Sequence, residues 1–214
     1  MSTDILMDKI IYEFYRKKII LRGNFELKSG QTSNIYINCR KISEYPSLMK
    51  LICNEIEKKI EKSNWICGVP TGAVPFATGI SFIKETPQLL LRKEKKDHGT
   101  NKQIEGDYKE KDTVVVLEDV VTTGGSLEKY SKILKDSGLN VIQQICIINR
   151  GNISNLESLI PIEKLLNPNN FLLPILDRKI IWAADVPSMK VLFSELDKYG
   201  SKIAILKLHI DTFK

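Results

Sequence analysis

Two adjacent acids at the end of an apolar run, followed at once by hydroxyls and glycines, make one stretch of the chain the best candidate for chemistry. It reads Val114-Val115-Val116-Leu117-Glu118-Asp119-Val120-Val121-Thr122-Thr123-Gly124-Gly125-Ser126. Four consecutive apolar residues predict a buried strand that delivers Glu118 and Asp119 at its end. Glycines let a backbone approach a ligand closely. Exposed N–H groups and hydroxyls at the start of the next helix cradle a dianion, and the helix dipole adds to the attraction. The carboxylates can accept hydrogen bonds from ribose hydroxyls or help a metal-bound ligand dock. Together these properties fit a sugar phosphate. An acidic pair alone is weak evidence, because strand ends often carry solvated acids; joined to Thr-Thr-Gly-Gly-Ser it becomes strong.

A scaffold that presents such a strand end can be read on either side of it. Ile5, Ile10, Ile11, Phe14 and Tyr15 recur at helical spacing and predict a helix over residues 3–18. Residues 25–38 predict a strand or hairpin around Ile35, Tyr36 and Ile37. Pro46 suits the first turn of a helix whose apolar face is Leu48, Leu51, Ile52, Ile56 and Ile60. Short apolar strands are expected at residues 65–69, 88–91, 113–117 and 141–148, with a helix at 126–137 that Gly138 stops. Residues 92–112 are dense in charge of both signs and predict a long mobile loop. Strands alternating with helices make this an α/β chain with a mainly parallel sheet, whose ligands sit beyond the carboxyl ends of the strands.

The 214 residues, 43% hydrophobic and 27% charged, exclude collagen, coiled coil and wholesale disorder. A net charge of +6 suits an anionic ligand and equally a lysine-rich solvated surface. Cys39, Cys53, Cys67 and Cys146 form no CxxC pair and read as reduced core thiols, which points to a cytoplasmic protein. Residues 63–83 carry no charge, but Gly68, Pro70, Gly72, Pro75 and Gly79 break the run, so a strand, a turn and a helix start explain it better than a membrane span. No secretory leader is expected, since Asp4, Asp8 and Glu13 interrupt the first twenty residues.

The segment from Glu118 to Ser126 resembles the phosphoribosyl-pyrophosphate (PRPP) motif of the type I phosphoribosyltransferases. Phe25-Glu26-Leu27-Lys28-Ser29-Gly30 with Ser33-Asn34-Ile35-Tyr36-Ile37 resembles the N-terminal signature of the orotate enzymes. Gly68-Val69-Pro70-Thr71-Gly72-Ala73-Val74-Pro75 is similar to their pyrophosphate-side loop. Leu91-Arg92-Lys93-Glu94-Lys95-Lys96-Asp97-His98-Gly99-Thr100, with Ile104-Glu105-Gly106, is similar to their catalytic loop. The resemblance spans about residues 5–150 and implies a type I phosphoribosyltransferase fold, with helices flanking a mainly parallel sheet, and transfer of phosphoribosyl from PRPP to orotate.

The resemblance also implies roles. Glu118 and Asp119 would hold the ribose hydroxyls, and Thr122, Thr123, Gly124, Gly125 and Ser126 the 5′-phosphate, with Val120 and Val121 in the same PRPP-binding run. Lys28, Thr71, Arg92, Lys93, Lys96 and His98 would surround the pyrophosphate. Arg92, Lys96 and His98 would reach into the neighbouring subunit of a homodimer, and Lys96, His98 and Asp119 would be the catalytic groups. Ile35, Tyr36, Thr122 and Arg150 would contact orotate. Magnesium would be held mainly by PRPP rather than by protein ligands. Thr71 departs from the Lys or Tyr usual at its position, a change that bears on pyrophosphate affinity more than on reaction class. Taken singly, Lys28, Arg150 and the basic run would be ordinary surface charges and Tyr36 a core residue; the joint pattern lifts them.

Residues 1–166 are expected to form the transferase domain and 167–214 an appendage. Ile180 to Val186 and Ile203 to Ile210, with a helix between, resemble the opening strand-helix-strand of orotidine 5′-monophosphate decarboxylase, the partner domain in UMP synthases. Two strands cannot close a (β/α)₈ barrel, so Asp185, Lys207 and His209 are expected to be idle and the chain to lack decarboxylase activity. Two other readings compete. An RNA-binding, non-catalytic regulator of the same fold lacks any recognisable RNA-binding signature, and a transferase for another base fits the Leu-Lys-Ser-Gly segment poorly. Neither nucleic acid nor membrane is an expected partner.

Overall fold

A computed structural model describes residues 3–26, 32–94, 103–166, 180–184 and 203–208. Two units separate, one of residues 13–167 and one of residues 1–12 with 168–214. Helix α1 (Thr3–Arg16) opens the chain, and its final turn belongs to the larger unit. The hairpin β1 (Ile20–Glu26) and β2 (Thr32–Ile37) follows, antiparallel, with a register shift between Arg22 and Phe25. A 3-10 turn at Cys39–Glu44 then leads into α2 (Pro46–Glu57), which Pro46 starts as its fixed φ favours.

The larger unit is built on six strands: β3 (Trp65–Gly68), β4 (Gln88–Leu91), β5 (Ile104–Glu105), β6 (Thr113–Val121), β7 (Asn140–Asn149) and β8 (Glu157–Pro161). Their order in space is β5-β4-β3-β6-β7-β8, with β5 alone antiparallel to its neighbour. Helix α3 (Val74–Lys84) packs on β3 and against α2, while α4 (Gly125–Asp136) packs on β6 and β7. The short α5 (Ile162–Leu166) follows β8, and the Leu165 carbonyl accepts a 2.6 Å hydrogen bond from the Tyr15 hydroxyl.

Val114, Val115, Val116 and Leu117 are wholly buried, as are Ile66 and Cys67 beside them. A strand apolar on every residue can be stable only with both faces covered, and this pattern fixes β3 and β6 at the centre of the sheet. Parallel pairing puts the carboxyl ends of β3, β6 and β7 on one side of the sheet, and the chemistry-bearing residues lie at or just beyond them. All four cysteines are buried and unbridged, and burial pushes the Cys67 thiol up to about 12. Among the described residues no helix is long and apolar enough to cross a membrane.

Several expectations are extended rather than reproduced. Strand β6 runs past Leu117 to Val121, because β7 pairs with it as far as Val121 opposite Asn149. The charged segment after Arg92 contributes a two-residue edge strand, and β8, α5 and the 3-10 turn are elements the sequence did not signal. In the smaller unit β9 (Ile180–Ala184) and β10 (Ile203–Leu208) pair in parallel, as a strand-helix-strand unit requires. The expected helix between them, Asp185 and His209 lie outside the described residues.

Candidate active site

Glu118 and Asp119 sit just past the point where β6 stops pairing with β3 while its pairing with β7 continues to Val121. Glu118 is only 7% exposed, and its Oε1 accepts the Asp119 N–H at 3.1 Å, while Asp119 Oδ1 accepts the Val120 N–H at 2.9 Å. Burial, and then the adjacent Asp119, push the Glu118 carboxyl up to about 8. Carboxylates placed like this can accept hydrogen bonds from sugar hydroxyls or from a cation-bound ligand.

The turn after the pair is shaped to receive an anion. Gly124 adopts φ +81° at the start of α4, a conformation that favours glycine. Gly124, at the N-cap, offers no side chain to the first-turn N–H groups of α4, which a ligand can therefore meet. Val120, Val121, Thr122, Thr123, Gly124, Gly125 and Ser126 line one concave cradle together with Glu118. A larger cavity of about 450 Å³ lies behind this turn, between α4, β7 and residues 153–156, and neither acid lines it.

Two neighbouring loops press against this strand end. The Val69 N–H bonds to the Leu117 carbonyl at 2.9 Å, carrying the Gly68-to-Pro75 loop across β6, and the peptide between Pro70 and Thr71 is cis. Gly72 is flush with Asp119, so that a Cβ there would overlap the carboxylate. Thr71 lies exposed at the tip. On the other side, Arg150 and Gly151 both donate their backbone N–H to the Val121 carbonyl, at 2.8 and 3.1 Å. Gly151 lies so close to the Thr122 carbonyl that no side chain fits between them.

The hairpin closes the third side. Ile35 is buried, Tyr36 is 41% exposed with its ring 5.6 Å from that of Phe25, and Arg150 reaches the hairpin through a 2.6 Å hydrogen bond from Nη2 to Ser33 Oγ. The structure therefore brings together Ile35 with Arg150, and Gly72 with Asp119, while Thr122 lies against Gly151. Arg92 is engaged elsewhere, its Nε and Nη2 converging on Glu105 Oε1 of the edge strand at 2.6 and 2.5 Å. Lys93 is exposed next to it. Lys28, Lys96 and His98 lie outside the described residues.

Sequence reasoning assigned no role to the partners that hold these groups in place, Ser33, Asn149, Gly151 and Glu105, although Ser33 and Glu105 lie within the family-like motifs and Asn149 and Gly151 flank Arg150. No cluster of three or more His, Cys, Asp or Glu side chains able to hold a metal occurs among the described residues. Two adjacent carboxylates fit magnesium, a hard cation bound through one or two carboxylates with water and substrate phosphates.

Residues 42–169 match the family model for the phosphoribosyl transferase domain. An orotate phosphoribosyltransferase of Methanosphaera stadtmanae is 40% identical over 145 residues, covering 67% of this chain and 82% of that protein. The chain belongs to the orotate phosphoribosyltransferase family. A bovine uridine 5′-monophosphate synthase is 34% identical over 163 residues, 73% of this chain and 34% of that longer protein. The crystal structure of the Aeropyrum pernix orotate phosphoribosyltransferase superposes with a TM-score of 0.65 at 28% identity, covering 73% of this chain and 96% of that one. Type I phosphoribosyltransferase architecture accounts for the strand end, turn and helix of β6 and α4 in this family member.

Proposed function

We propose that the site joins orotate to PRPP, producing orotidine 5′-monophosphate and pyrophosphate. The observation that carries this reading is the acidic pair and uncapped helix start of β6–α4, with Arg150 fixed against the hairpin across the same strand end. As the bond from the anomeric carbon to pyrophosphate breaks, positive charge develops on the ribose and negative charge on the leaving group. Orotate nitrogen then forms the new bond, and the protein's task is orientation and electrostatic stabilisation. Glu118 and Asp119 hold the ribose hydroxyls, the Thr122-to-Ser126 turn takes the 5′-phosphate, and Arg150 offers its planar fork to the orotate carboxylate. Magnesium, when bound, neutralises charge on the pyrophosphate oxygens.

Thr71 and Lys28 belong to the pyrophosphate side in this reading. Lys93 stands on the same side, and Arg92, Lys96 and His98 close over the pyrophosphate from a second subunit, where exclusion of water strengthens each cation's effect. For Arg92 this requires release from Glu105, an exposed pair of the kind worth little at rest. Residues 167–214 we read as an appendage related to the opening of the decarboxylase. The parallel β9–β10 pair supports this, and Lys207 has no catalytic duty in it. We read the enzyme as cytoplasmic, which its buried, unbridged cysteines suit.

The test is an assay of pyrophosphate release from PRPP with orotate, uracil or hypoxanthine, each with magnesium or EDTA. Release is expected with orotate and magnesium alone. Equal rates with hypoxanthine, or full activity in EDTA, would refute the assignment.

A further inference from the structure

Ser33 spends its whole hydrogen-bonding capacity at the seam between the hairpin and β7. Its Oγ donates to the Ile35 carbonyl at 2.8 Å, and accepts from the Ile35 N–H at 3.2 Å and from Arg150 Nη2 at 2.6 Å. A serine hydroxyl has one proton and two acceptor sites. With its proton committed to the Ile35 carbonyl, both acceptor sites face the amide and the guanidinium. Nη2 also donates to the same carbonyl, but at 3.5 Å, a far weaker bond than that to the hydroxyl.

The root of Arg150 is held just as firmly. Its N–H bonds to Val121, and the preceding residue, Asn149, is buried and exchanges two 2.9 Å hydrogen bonds with the main chain of Ile153. Arg150 is thereby held at both ends, its main chain by Val121 and its guanidinium by Ser33, 117 positions away in the chain. Its Nε and Nη1 groups carry N–H donors that a carboxylate can accept.

We propose that Ser33 is a positioning residue that aims the Arg150 guanidinium at the orotate carboxylate and locks it to the strand carrying Ile35 and Tyr36. This rests on the assignment of orotate to Arg150 made above. A side chain held before the ligand arrives loses less conformational freedom on binding, so the hydroxyl acts on affinity for orotate and not on the PRPP half of the site.

Steady-state kinetics of Ser33→Ala, Ser33→Cys and Ser33→Thr, with melting curves for each, test this. Cysteine keeps the size of serine but is a weak acceptor, and threonine keeps the hydroxyl in a residue suited to a strand. The Ala and Cys variants should raise the orotate KM about tenfold, the loss of roughly one hydrogen bond to a charged group. Their PRPP KM should stay within about twofold, and Thr should restore the orotate KM. An orotate KM unchanged in both Ala and Cys would overturn the proposal, as would a parallel rise in the PRPP KM. Wild-type protein that does not turn over orotate at all would instead refute the functional assignment itself.

Discussion

Replacing Asp119 with Asn should lower kcat/KM for PRPP by at least about 100-fold, the scale seen when a group aimed at developing charge is removed, while leaving the protein at least as stable as the wild type. The stability half follows from the geometry. Asn keeps an Oδ1 to accept the Val120 N–H, and the change removes a like charge from beside the buried Glu118. Glu118 should then titrate lower, since the Asp119 contribution disappears while the effect of burial persists. Because the folded wild type holds this proton up to about pH 8 and the unfolded chain releases it in the usual carboxylate range, the stabilisation is full in acid. It is lost as pH rises through about 8. Melting temperature against pH should therefore fall across that window more in the wild type than in the Asn variant. Equal slopes, or a variant that is fully active, would contradict the role given to the pair. Mixing Asp119→Asn chains with Lys96→Ala chains should return some activity if the loop serves a neighbouring subunit, and mixed dimers without activity would exclude that sharing.

Gly151→Ala is the second large effect. A methyl group there would fall within bonding distance of the Thr122 carbonyl oxygen, and both partners are backbone, so the start of the phosphate turn must move. Overpacking of this kind costs about 1–3 kcal/mol, and displacing a binding group by about 1 Å can cost on the order of 100-fold in rate. Gly125→Ala is the control, because its Cβ would stand 3.7 Å from Thr123 Oγ1, an ordinary contact. The measurement is a pair of melting curves with PRPP kinetics for Gly151→Ala. The Gly151 variant should melt lower and bind PRPP poorly, while the Gly125 variant should melt close to the wild type. Equal melting of the two would show that the Thr122 contact does not constrain the turn.

What the sequence made legible was whatever repeats or punctuates locally. The apolar run of β6, the helical face of α4 and the stop at Gly138, which has φ +87°, are local signals, and each element forms within a few residues of its expected bounds. Strand β6 was underestimated because Glu118 and Asp119 interrupt the apolar pattern, whereas the pairing with β7 that extends it is a tertiary fact. The edge strand at Ile104–Glu105 has only two residues in a charged segment and exists through its pairing with β4. Site residues in contiguous motifs could be named; their supports could not. The contacts of Ser33 with Arg150, and of Gly72 with Asp119, join loops distant in sequence, and no spacing rule encodes them.

The reaction run backwards tests the central claim most directly. Purified protein would be incubated with orotidine 5′-monophosphate and magnesium, with and without pyrophosphate, and orotate and PRPP quantified together. Equimolar orotate and PRPP should appear only when pyrophosphate is present, and the yield should collapse in the Asp119→Asn variant. Absence of PRPP from the wild-type reaction, or orotate released equally without pyrophosphate, would contradict phosphoribosyl transfer at this site.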